Sequence, residues 1–83
     1  MRFADNLRRR RIEHFLSQVE LARRAGVHAV TITRLEAGTS VPSMRTVRAL
    51  AAALGIEPKE LADPEEVAEV RRAAGIRPSS AHQ

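Results

Sequence analysis

Residues 18–37, QVELARRAGVHAVTITRLEA, leave room for two short helices with only a three- or four-residue turn between them. Helices joined that tightly cross steeply, so the crossing point needs a small side chain and the turn needs glycine. Ala22 and Gly26 stand at those two places. Leu21, Ala25, Val27, Ile32 and Leu35 recur at helical spacing and supply a shared apolar core.

The flanking sequence is helical in pattern as well. Phe3 and Leu7 begin a first helix whose apolar positions continue to Ile12 and end near Phe15. Ser17, with Glu20 three residues on, has the spacing of a capping box for the second helix, and Gly26 ends it. A third helix is expected from about His28 to Ala37, stopping at Gly38. Pro42 makes TSVPS a loop by steering Val41 away from the helical region. Ser43 caps a fourth helix with Met44, Val47, Leu50, Ala51 and Leu54 on one buried stripe. Pro58 opens a short fifth helix carrying Leu61, and Asp63, Pro64 and Glu66 give the start signals of a sixth. The sixth carries Val67, Val70 and Ala74 on one face and ends at Gly75. No stretch alternates as a strand does, so the expected class is all-α. The expected division is a domain over 1–62, an added C-terminal helix over 63–76 and a disordered tail over 77–83.

A chain of 83 residues holds at most one small domain. It has no cysteine, which removes disulfides and thiolate metal sites and fits a reducing, cytoplasmic setting. The longest apolar run, ALAAALGI, is far too short to span a bilayer, so no membrane association is expected. Charge is unevenly placed. Residues 1–55 hold ten arginines against four acidic residues, whereas residues 56–83 hold four cations against six. A basic front with an acidic back points to one surface that meets a polyanion. His14, His28 and His82 are scattered without acidic or thiol company, so neither a metal nor a cofactor is expected. The acids Glu57, Glu60, Asp63, Glu65, Glu66 and Glu69 lack a nucleophile or an apolar wall beside them, and a solvated face explains them better than enzyme chemistry.

With LSQVELARRAGV, TITRLEAG, VPSMRTVRALAAALGI and Leu61 in place, residues 3–61 resemble the Cro and phage-repressor type of helix-turn-helix domain, the xenobiotic-response-element family. The resemblance implies a compact five-helix, lambda-repressor-like bundle whose third helix enters the major groove of double-stranded DNA. It implies base contacts from Ala29, Val30, Thr33 and Arg34, and phosphate contacts from Arg11, Ser17, Gln18, His28, Thr39 and Ser40. It also implies an ion pair between Arg11 and Glu36. Ala29 and Val30 put an apolar start on the reading helix, which suits thymine methyls, the apolar feature of the major groove.

The sequence departs from the family pattern at Phe15, which replaces a glycine ending helix one, so that turn is expected to close without the usual left-handed residue. His28 replaces a Ser or Thr cap, and the sixth helix is an addition. A homodimer on a two-fold operator is expected, with Val67, Val70 and Ala74 in its interface. The favoured function is a sequence-specific transcriptional repressor with no separate effector domain. The alternatives are a protein-binding helix-turn-helix adaptor or coactivator, and an antitoxin or restriction-system controller on the same DNA-binding fold.

Overall fold

The computed structural model describes residues 2–76, so the tail expected over 77–83 lies outside the described residues. Six helices follow one another: α1 (Phe3–Glu13), α2 (Gln18–Ala25), α3 (Ala29–Ala37), α4 (Met44–Leu54), α5 (Pro58–Leu61) and α6 (Pro64–Ala73). Among the described residues there is no strand.

Local chemistry sets most of the boundaries. Ser17 Oγ accepts from the Glu20 N–H at 3.0 Å, and Glu20 Oε1 accepts from the Ser17 N–H at 2.8 Å, closing the box that opens α2. Ser43 Oγ accepts from the Thr46 N–H at the head of α4, and Asp63 Oδ1 from the Glu65 N–H at the head of α6. Among the described residues Glu66 returns no bond to the Asp63 N–H, so α6 starts on a single cap instead of a full box. His28 caps α3 without a side-chain bond.

The core is one cluster. Phe3 and Leu7 of α1, Leu21 and Ala22 of α2, Ile32 and Leu35 of α3, and Val47, Leu50, Ala51 and Leu54 of α4 are all buried, with Leu16, Leu61 and Ala62 closing it. Asn6 Nδ2 donates to the Leu61 carbonyl at 3.1 Å and ties α1 to the end of α5. Ile12 departs from the expected stripe and is 48% exposed. Five residues beyond Leu7 is about 140° around the helix, so Ile12 has rotated off the core face, and Leu16 fills the core beyond the turn. Met44, expected in the core, lies in the first turn of α4 at the mouth of a groove and stays exposed.

Helix α1 ends at Glu13, and Phe15 itself takes the left-handed conformation, φ 54°, in place of the usual glycine. The reason is the closure it permits. The Leu16 N–H reaches back to the Arg11 carbonyl at 3.1 Å, the same five-residue return that Val27, Thr39 and Ile56 make after α2, α3 and α4. Where those ends use glycine, a phenylalanine carries the steric cost of a left-handed Cβ, and its ring is 94% exposed. Phe15→Gly should therefore stabilise the domain by about 1 kcal/mol, or about 5 °C in Tm. A thermal melt showing a loss would instead assign the ring a packing role.

Val67 was expected to face a second copy, but within one chain it is 1% exposed. The first turn of α6 sets it into the core cluster, where it forms one wall of an open groove of about 230 Å³ lined also by Met44, Val47, Arg48, Pro58, Ala62 and Pro64. A residue already covered by its own domain has no surface left to offer, so Val67 is withdrawn from the interface. Val70 is half-buried, and Ala74, just past the end of α6, is exposed.

Candidate nucleic-acid interface

Packed against α2, α3 buries Ile32 and Leu35 while its opposite face stays in solvent. Thr33 and Arg34 are exposed on that face, and Val30 is 50% exposed. Ala29 is only half open, because part of its surface packs on the core, so Val30 carries most of the apolar start of the helix.

Behind this face a polar relay joins three helices. Arg11 of α1 makes a two-pronged pair with Glu36 of α3, Nε to Oε2 at 2.7 Å and Nη2 to Oε1 at 2.9 Å. Its Nη1 donates to the Leu16 carbonyl at 2.8 Å, just ahead of α2. Glu36 also accepts from Gln18 Nε2 at 3.1 Å, and Gln18 Oε1 accepts from Thr33 Oγ1 at 2.7 Å. The two side chains of the ion pair are only 13% and 5% exposed. Bidentate geometry and near-burial make this a strong, orienting contact.

Burial pushes the Glu36 carboxyl up, but the hydrogen bonds from Arg11 and Gln18 and the charges of Arg11 and Arg8 outweigh it and hold it below the ordinary carboxylate range. The hydrogen bond to Glu36 raises Arg11 above its ordinary value against the opposing effect of burial. The pair is therefore fully charged at neutral pH. Glu20 is also lowered, first by the backbone hydrogen bond from Ser17.

The relay decides what each side chain has left for a ligand. One Gln18 N–H is taken by Glu36 and one remains, next to the start of α2 where backbone N–H groups and the helix dipole favour an anion. The Thr33 hydroxyl proton goes to Gln18, so toward a partner Thr33 is an acceptor. Ser17 is exposed and accepts within its cap, leaving its hydroxyl proton free to donate outward. Thr39 is different. Its N–H and its Oγ1 both donate to the Arg34 carbonyl, at 3.0 and 3.2 Å, so its hydroxyl must turn before it can meet a phosphate. His28 and Ser40 are exposed.

The four arginines at 8–11 divide by direction. Arg11 points into the relay, and Arg10 reaches Glu60 at 3.5 Å and Glu13 at 3.8 Å. Arg8 and Arg9 stay exposed, and Arg8 lies close enough to Glu36 to act on its charge. Sequence reasoning left Arg8 undistinguished because four consecutive helical positions spread around the whole circumference; its place beside the relay separates it from the others.

Residues 7–61, from Leu7 in α1 to Leu61 in α5, match the family described as helix-turn-helix. The chain belongs to the Cro/C1-type helix-turn-helix family. It is similar to a crystal structure of a hypothetical transcription factor, NHTF, from Neisseria, at 29% identity and a TM-score of 0.70, covering 82% of this chain and 79% of that one. No curated protein is a significant match. This helix-turn-helix protein is a DNA-binding regulator, and α3 is the second helix of its motif. Among the described residues no helix is long and apolar enough to cross a membrane, and no group of His, Cys, Asp or Glu could hold a metal ion.

Proposed function

We propose that this protein is a sequence-specific repressor that binds a two-fold-symmetric operator as a homodimer and reads it with α3. The observation that carries the reading is the relay from Arg11 through Glu36 and Gln18 to Thr33. It fixes the expected phosphate anchor, Gln18, to a residue of the reading face, so backbone docking and base contact share one rigid frame. Val30 meets a thymine methyl, Thr33 accepts from an adenine or cytosine amino group, and Arg34 donates to guanine. Ser17, Gln18, His28 and Ser40, with Arg8 nearby, face the backbone, and exposed arginines supply the salt-dependent part of affinity. Val70 and Ala74 remain the apolar positions for contact between two copies. Occupying the operator is an action these residues supply by themselves, and it is sufficient to exclude a competing protein from the same DNA.

Selection of bound sequences from a random DNA pool, with the full chain and with Gln18→Ala, tests this. The expected site has inverted half-sites about 34 Å apart, one turn of DNA, with thymine under Val30. Gln18→Ala should weaken binding to all sequences alike and leave the preferred site unchanged. A pool without enrichment refutes sequence-specific binding, an isolated half-site refutes the dimer, and a changed preference in Gln18→Ala makes Gln18 a base reader.

A further inference from the structure

Helix α6 lies beyond the matched residues 7–61, and its one buried side chain is Val67. One turn later on the same helical face, Arg71 Nη1 donates to the Pro42 carbonyl at 3.0 Å, across 29 residues of sequence. Pro42 is buried in the loop that leads from the recognition helix to α4. A proline brings no N–H of its own to that junction, and a buried carbonyl needs a donor. A guanidinium is a charge-assisted donor, and Arg71 stands in the last turn of α6, where the helix dipole also favours a cation. The two contacts span the junction. Val67 shares the walls of one apolar groove with Met44 and Val47 at the head of α4, and Arg71 holds the carbonyl two residues before Met44.

We propose that α6 is a splint for the loop after the recognition helix, with Arg71 as the positioning residue that holds Ser40 and its neighbours in the conformation that meets the DNA backbone. This rests on the DNA-binding reading above. Arg71 touches no nucleotide in this scheme. Its effect is to order the loop before DNA arrives, so that less conformational freedom is lost on binding.

Arg72 is the internal control. It sits in the same turn of α6, carries the same charge and is exposed. The experiment compares Arg71→Gln with Arg72→Gln in the full chain, by amide hydrogen exchange of the free protein and by titration with the selected DNA site. Arg71→Gln should speed exchange at the Thr39 amide, which is hydrogen-bonded to the Arg34 carbonyl, and weaken DNA binding about fivefold relative to Arg72→Gln, with Ile32 and Leu35 still protected in both. Equal loop exchange in the two variants overturns the splint. Faster loop exchange with equal DNA affinity overturns its part in binding. If the unaltered chain selects no DNA, the proposed function fails, and the exchange comparison still decides whether Arg71 holds the loop.

Discussion

Replacing Arg11 with methionine should destabilise the domain by about 3 kcal/mol, because it leaves the Glu36 carboxylate nearly buried with only Gln18 for company. For a domain of this size that is a large share of the total stability, and the Tm should fall by at least about 12 °C. The same change removes the donor on the Leu16 carbonyl and frees Gln18 from one side of its frame, so DNA affinity should drop even where the protein remains folded. The double variant Arg11→Met/Glu36→Leu separates the two effects. With no carboxylate left to strand, most of the stability should return, while DNA binding should stay weak because nothing then orients Gln18. A single-variant loss under about 1 kcal/mol in denaturant unfolding would place the pair with ordinary surface ion pairs and remove the argument.

The pH dependence has the matching sign. Glu36 has a folded value below its ordinary one, so its contribution to stability is present above about pH 4.5 and is lost as pH falls through the lowered folded value. In Arg11→Met the main opposing influence is gone and burial dominates, so the Glu36 carboxyl should titrate at higher pH and acid unfolding should begin earlier. Glu20, whose lowering comes from its cap partner Ser17, is common to both proteins, so the difference between the two stability curves reports Glu36.

The elements that could be read from sequence are those whose causes are local. Ser17 with Glu20, Ser43, Asp63 before Pro64, and glycine after an apolar run each act within a few residues, and all of them appear in the structure as caps or helix ends. The buried Ala22 and the left-handed turn at Gly26 were legible for the same reason, since a short turn leaves few ways to pack. Phe15 shows the limit. The rule that glycine ends helices describes which residue adopts the left-handed conformation most cheaply, whereas the closing bond from the Leu16 N–H demands that conformation of whatever residue is there. Val67 shows another, because an apolar stripe looks the same whether its own domain or a second copy covers it. The extension of the relay to Thr33 and the Arg71 contact to Pro42 link residues 15 and 29 positions apart, and no spacing rule reaches that far.

Opposite faces of α3 should respond to substitution in opposite ways, and this is the sharpest test of the site. Ile32 is fully buried against the core, so Ile32→Ala should cost about 3 kcal/mol in lost burial and residual cavity, and Ile32→Val about 1 kcal/mol. Both should reduce DNA binding only to the extent that they unfold the protein or loosen α3, and neither should change which bases are preferred. Arg34, two residues on, is exposed, so Arg34→Ala should leave stability within about 0.5 kcal/mol. Its effect belongs to binding, a loss of about 2 kcal/mol per recognition helix, roughly thirtyfold, concentrated at one guanine. Thermal melts paired with titrations on single-base variants of the selected site read both quantities. A uniform loss across all variants would move Arg34 to the phosphate backbone, and a Tm drop as large as that of Ile32→Ala would mean that α3 does not present this face to DNA. If instead the two residues separate as expected, the burial of Ile32 is what holds Arg34 at the groove: the core side of a nine-residue helix sets the position, and the solvent side supplies the base contact.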